Sequence, residues 1–373
     1  MEYTRREFTK LALAGLPAAA LVNQPLFGMA QAKPNSNFGG VQIGVITYSY
    51  RDMKDQSAEA TLGYILQGGI NAIELMDGPA EMFAGKPAAP PAPARAGGPG
   101  LPGGGGRGAA SQCVPGQGPV AAEGARAGGG GRGARGEQPP PTPEQQAYAT
   151  ALADYQVTLR QWRTSVSMDK FRALRKMYND AGVTMYAYKP DGIQKNMNTT
   201  DAEYDYLFNV AKTVGASHLT MELPAGDTAE AMLKRMAAFA TKHGMKVAYH
   251  THAQGSMTAF DQALAISPAN MINVDFGHYV AAGNVGGTPL QFMDKFHDRI
   301  ASFHLKDRML PINCGTTVPF GTGDGMLKEI LQSVKQHGWK FPATIELEYA
   351  VPAGSNSALE VKKCVEYARQ ALA

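Results

Sequence analysis

The chain has 373 residues and a formal net charge of +3, enough for one large domain or two ordinary ones. Its 43 glycines and 24 prolines are concentrated between positions 84 and 143, which hold 18 Gly and 12 Pro and so exclude ordinary helix or strand there. That segment carries +4 and the first 32 residues +1, leaving −2 for the rest, so the overall positive charge gives no reason to expect a nucleic-acid partner.

The N-terminus reads Thr4-Arg5-Arg6-Glu7-Phe8-Thr9-Lys10, then an apolar run over 11–22, then Ala30-Gln31-Ala32. Paired arginines before a short apolar run and a small-x-small site resemble a twin-arginine export signal. Residues 1–32 are therefore expected to be a signal peptide and the mature protein periplasmic. The apolar run contains Gly15 and Pro17 and is too short to span a bilayer, so no stable membrane insertion is expected.

After the leader, helix-like stretches stop at a glycine and strand-like runs begin, at Gly69-Ile70, Gly182-Val183, Gly215-Ala216, Gly244-Met245 and Gly338-Trp339. Glycine is the favoured left-handed helix cap, and a repeated helix-to-strand junction means αβ units with parallel strands. Eight strands are predicted, at 41–47, 72–76, 184–188, 218–222, 246–250, 271–275, 300–305 and 343–348. Helical spacing between them places Tyr204, Leu207, Phe208 and Ala211 on one face, and Met232, Leu233, Met236 and Phe239 on another. Eight alternating units predict an α/β fold, a (β/α)8 TIM barrel. A doubly wound sheet is the alternative, but no Gly-x-Gly-x-x-Gly follows the first strand.

The barrel is then split into 33–83 and 144–373 by a Gly/Pro/Ala-rich insertion at 84–143, which contains Gly-Gly-Gly-Gly-Arg-Gly-Ala twice. Such composition buries too little apolar surface to order itself. The insertion is expected to be disordered, in the second βα loop on the active-site face. A lid or a wall-binding tail is the functional alternative. A long helical stretch follows, from 143 to 180. Three cysteines, Cys113, Cys314 and Cys364, give neither a disulfide framework nor a metal-binding spacing.

Ionisable residues gather where strands end: Glu222; His250 and His252; Asp275 and His278; His304, Lys306, Asp307 and Arg308; Glu346 and Glu348. In a (β/α)8 barrel these ends form one mouth, where active sites lie. A charge closing an apolar strand is costly unless it is paired or bound to metal. Carboxylates with a histidine suit Mn²⁺, Mg²⁺, Co²⁺ or Zn²⁺. Such an ion assists removal of a proton beside a sugar carbonyl, with a glutamate on each side of the substrate to take and return it.

These pieces resemble the sugar phosphate isomerase/epimerase family, the xylose isomerase-like barrels. The resemblance rests on Gly69-Ile70-Asn71-Ala72-Ile73-Glu74-Leu75, Tyr249-His250-Thr251-His252, the run from Asp275-Phe276-Gly277-His278 to Gly283, His304-Leu305-Lys306-Asp307, and Ile345-Glu346. It implies one divalent metal ion held by Glu222, Asp275, His304 and Glu346, with Glu348 a competitor for the last place. Glu222 and Glu346 would also be the catalytic acid and base. His250, His252, His278, Arg308 and Glu74 would contact a small carbohydrate substrate.

Other readings stay open. The four ligands could form a buried ion-pair network, His250 and His252 could be core histidines, and Glu74 could be structural. Lys306 is read as the salt-bridge partner of Asp307 rather than a catalytic acid, His218 as structural, and Gly321–Gly325 as a plain turn rather than a phosphate loop. The expected activity is a metal-dependent isomerase or epimerase of a sugar or sugar derivative. The rivals are a lyase or dehydratase, for example on a 3-keto-glycoside, at the same site, and a non-catalytic sugar-binding barrel. An endonuclease IV-type activity would need more ligands and a basic surface. An oligomer is allowed.

Overall fold

The computed structural model describes residues 33–93, 113–116, 118–119, 142–191 and 199–373. The expected signal peptide and most of the insertion lie outside the described residues.

Eight parallel strands close into a barrel with flanking helices. They are β1 (Val41–Ile46), β2 (Ala72–Met76), β3 (Thr184–Lys189), β4 (His218–Glu222), β5 (Lys246–His250), β6 (Asn270–Asp275), β7 (Ile300–Leu305) and β8 (Ala343–Ile345). Each pairs with the next, and β8 returns to β1 through Ala343 opposite Ile43. The strands are apolar on both faces because one side fills the barrel and the other packs under helices. Val247, Ala248 and Tyr249 in β5 are all fully buried.

The helices, in order, are α1 (Ala58–Gln67), α2 (Asp77–Phe83), α3 (Pro143–Ser165), α4 (Met168–Asp180), α5 (Asp201–Val214), α6 (Ala229–His243), α7 (Asp261–Ile266), α8 (Phe276–Ala281), α9 (Pro289–Phe296), α10 (Leu327–His337) and α11 (Ser357–Ala371). The apolar faces expected of α5 and α6 are buried. All five junction glycines have positive φ, as left-handed caps require. None of the described helices is long and apolar enough to cross a membrane.

Four details differ from expectation. The stretch from 143 to 180 is two helices, because Ser167 breaks the run and caps α4. Strand β8 leaves the ladder after Ile345, since the Leu347 amide donates instead to Ser49 Oγ at 3.0 Å. The insertion does not leave β2 directly, because α2 comes first. The fourth concerns the cysteines: Cys113 and Cys314 form a disulfide across 201 positions, where no framework was expected. Two partners so far apart in sequence leave no spacing signal. Cys364 is free and buried.

The insertion rejoins the barrel through buried charge. Glu81 in α2 takes Arg163 of α3 at 2.8 Å, Lys86 at 2.7 Å and the Tyr206 hydroxyl of α5 at 3.1 Å. Within the barrel, β1 passes close to β3: a Cβ at Gly44 would lie 2.5 Å from the Tyr186 hydroxyl. Only glycine leaves room for that ring, whose hydroxyl pairs with Thr344 Oγ1 at 2.7 Å.

Candidate active site

The C-terminal strand ends deliver Lys189 (β3), Glu222 (β4), His250 (β5), Asp275 (β6), His304 (β7) and Glu346 (just past β8) to one mouth, with Glu74 of β2 set behind His304. Ligand atoms of His250, Asp275, His304 and Glu346 all lie within 4.8 Å of one another, and all four residues are buried. His250, His252 and His278 form a second such group that shares His250.

His250 is set by a chain of hydrogen bonds crossing the barrel interior. His218 Nε2 meets Ser302 Oγ at 3.0 Å, Asn273 Nδ2 donates to Ser302 Oγ at 2.7 Å, and Asn273 Oδ1 faces His250 Nδ1 at 2.9 Å. The amide oxygen can only accept, so Nδ1 of His250 carries the hydrogen. Its Nε2 is then a bare lone pair, buried and without a hydrogen-bond partner. Burial, with Lys189 and His304 adding to it, holds the His250 pKa well below its usual value, so the ring stays neutral.

His304 lies between two carboxylates. Its Nε2 meets Glu74 Oε2 at 2.9 Å and its Nδ1 meets Glu346 Oε2 at 2.8 Å. Burial opposes its imidazolium, but Glu74 and Glu346 outweigh burial and push its pKa up to about 9. Burial likewise opposes the Glu346 carboxylate, and Lys306 and His304 hold its pKa well below the ordinary range.

Lys306 is placed differently from the expectation. Its Nζ lies 2.9 Å from Asp275 Oδ2, 2.8 Å from Glu346 Oε2 and 2.7 Å from Glu348 Oε2. Asp307 instead accepts backbone N–H groups from Gly321, Thr322 and Gly323 at its Oδ2 and from Gly325 at its Oδ1. The glycine loop is thus a nest already filled by a carboxylate of the same chain.

Glu222 stands outside both groups. Its Oε1 is 3.1 Å from Lys189 Nζ and its Oε2 is 3.4 Å from His252 Nε2. It is 19% exposed and His252 54% exposed in their side chains, so this pair faces the mouth. Asp275 Oδ1 accepts the His278 amide at 2.7 Å, while Oδ2 is 4.0 Å from His250 Nε2 and 3.9 Å from His304 Nδ1. Arg308 reaches His278 Nδ1 at 2.6 Å. Glu74 is wholly buried behind His304, away from the mouth where a substrate would enter.

Sequence reasoning missed Lys189 and Asn273. Lys189 carries the same signal as the others, a charge closing an apolar strand, one position beyond the predicted end of β3. Asn273 is a polar residue two before Asp275, hence on the same side of β6.

Two imidazoles and two carboxylates converging, with Nε2 of His250 orphaned, are a donor set suited to a divalent first-row ion. Glu74 behind His304, and Asn273 behind His250, are the outer partners that such ligands ordinarily have.

A family model described as xylose isomerase-like TIM barrel matches residues 149–370. Among solved structures, 3-keto-D-glucoside 4-epimerase from E. coli is similar, with 9% identity over 88% of this chain and 99% of that one, at a TM-score of 0.52. A sugar phosphate isomerase/epimerase from Parabacteroides distasonis is 13% identical over 88% and 95%, at 0.51. A probable 3-DHS dehydratase from Bacillus anthracis is 13% identical over 86% and 98%, also at 0.51. At such identities these are likenesses of fold. No protein of curated function matches the chain in sequence.

Proposed function

We propose, for a chain that belongs to the xylose isomerase-like TIM barrel family, that it is a divalent-metal-dependent isomerase or epimerase of a sugar or sugar derivative. The observation that carries this is the buried group His250, Asp275, His304 and Glu346 at the barrel mouth, with the His250 lone pair unused. His250, Asp275, His304 and Glu346 would hold the ion, His250 through its unused Nε2. A bound divalent ion supplies positive charge next to a carbonyl and so lowers the cost of removing a neighbouring proton.

The chain's own residues do the rest. Glu222 takes the proton from the mouth side, where Lys189 and His252 orient its two oxygens. Glu346 returns a proton from the barrel side, drawn from the Lys306 ammonium 2.8 Å from its Oε2. His278 and Arg308 hold the substrate's hydroxyls at the rim, and the buried walls exclude bulk water. Glu74 acts through His304, fixing its ring, rather than touching substrate. The protein is read as periplasmic on the leader sequence, and the Cys113–Cys314 disulfide supports an oxidising compartment.

The test is hydrogen exchange at carbon. Metal-loaded protein is incubated with free ketoses and with 3-keto-glycosides in deuterated water. Deuterium entering beside the carbonyl supports the reading, and Glu222→Gln should stop it. No exchange with any of them contradicts it. Product mass separates isomer from lyase product, since expulsion of a leaving group removes its whole mass and epimerisation changes the mass only by the deuterium taken up.

A further inference from the structure

The insertion is unlike the rest of the fold in composition, yet it is bolted to the catalytic face. Cys113 is linked to Cys314, in the loop between β7 and α10. The turn after Cys113 adds two hydrogen bonds to the same loop, from the Gly116 amide to the Ile312 carbonyl at 3.0 Å and to Asn313 Oδ1 at 3.1 Å. Residues 113–114 and 118–119 form a small antiparallel hairpin around this turn.

The anchored loop is short and constrained. Cys314 has φ of 68° and closes a turn of 3₁₀ helix at Pro311–Asn313. The next residue, Gly315, has φ of 56° and donates its amide to the Leu310 carbonyl at 3.1 Å. Its own carbonyl is the acceptor for Arg308, from Nε at 2.8 Å and also from Nη2. Held there, Arg308 directs Nη1 to His278 Nδ1 at 2.6 Å.

We infer that the Cys113–Cys314 disulfide is a positioning strap for substrate recognition. It fixes the loop at Gly315, which fixes Arg308, which in turn fixes His278. A non-glycine residue in left-handed backbone beside a left-handed glycine has a conformational cost, and the cross-link holds that turn in place. The consequence reaches the imidazole. A neutral ring has one accepting nitrogen, and Arg308 Nη1 and Lys306 Nζ, 3.1 Å from Nε2, both present hydrogens to it. Arg308 Nη1 donates to Nδ1, so the orientation of the ring follows the clamped guanidinium. Cys113, Cys314 and Gly315 are positioning residues; Arg308 and His278 make the contact.

The role of that contact in sugar binding rests on the function proposed above, but the strap can be tested without any sugar. Full-length mature protein, purified without reductant, is mapped by mass spectrometry for the Cys113–Cys314 link. It is then treated with phenylglyoxal, with and without prior reduction, and the modification rate is followed at each arginine. Arg308 is expected to react at least threefold faster after reduction, and Cys314→Ser to show that faster rate without reductant. Arg51, also half-buried and bonded through its guanidinium to the Leu347 carbonyl, is the control and should not change. Free Cys113 and Cys314 in the untreated protein, an unchanged rate at Arg308, or equal acceleration at both arginines overturns the strap. If Cys314→Ser does not fold, reduction of the wild-type protein decides alone. Absence of sugar chemistry with an intact strap would fault the proposed function and not this inference.

Discussion

His304 has a carboxylate on each ring nitrogen, and the two are not equivalent. Glu346 sits with Asp275 and His250 in the group suited to a metal ion, while Glu74 is wholly buried behind the ring. A carboxylate that orients a ligating histidine typically contributes 10–100-fold in metal affinity. Glu74→Gln is therefore expected to weaken Mn²⁺ binding by about 10–100-fold in a calorimetric titration, and unchanged affinity would contradict its role. Asp275, His304 and Glu346 were legible in the sequence because each closes a strand, and the barrel brings strand ends together. The partner of Lys306 was not, because adjacency in sequence misled. Neighbours in extended chain point to opposite sides, so Lys306 turns inward to three carboxylates and Asp307 outward to the glycine nest.

The elements carry their own tests. Helix α3 has no place in a minimal (β/α)8 repeat, and Glu81 joins it to α2 and α5 through Arg163 and Tyr206. Glu81→Ala leaves a buried guanidinium unpaired, which costs about 3–5 kcal/mol and should appear as a lower denaturation midpoint. No change in midpoint would mean the pair is solvated. Helix α8 begins directly at the end of β6, so its first turn lies against β7. A Cβ at Gly277 would lie 2.6 Å from the Lys306 carbonyl. Gly277→Ala should destabilise by about 1–3 kcal/mol through overpacking, read by thermal unfolding, and a neutral effect would show that β7 yields. The helix–glycine–strand junctions made most of these elements readable in advance. Helix α2 was not, because seven residues beginning Asp77-Gly78-Pro79 give no helical period.

At the scale of the whole molecule, the chain combines a basic, Gly/Pro-rich insertion with a mildly acidic barrel. The barrel was legible from eight apolar runs separated by helical periods. The link between insertion and barrel was not, because two cysteines 201 positions apart show nothing until folding joins them. Closing so long a loop stabilises a fold by about 2–5 kcal/mol. Intact mass of the protein recovered from an exporting host should show loss of residues 1–32 and two hydrogens fewer than the reduced chain; an uncut, fully reduced protein would contradict both export and the strap.

If the buried group at the barrel mouth is a metal-dependent proton-transfer centre, it binds a divalent ion in the folded protein. The most direct measurement is anomalous diffraction from crystals of the full-length mature protein loaded with Mn²⁺. One ion is expected, about 2.0–2.6 Å from ligand atoms of His250, Asp275, His304 and Glu346. No ion at that point, with the Lys306 ammonium still seated among Asp275, Glu346 and Glu348, would contradict it.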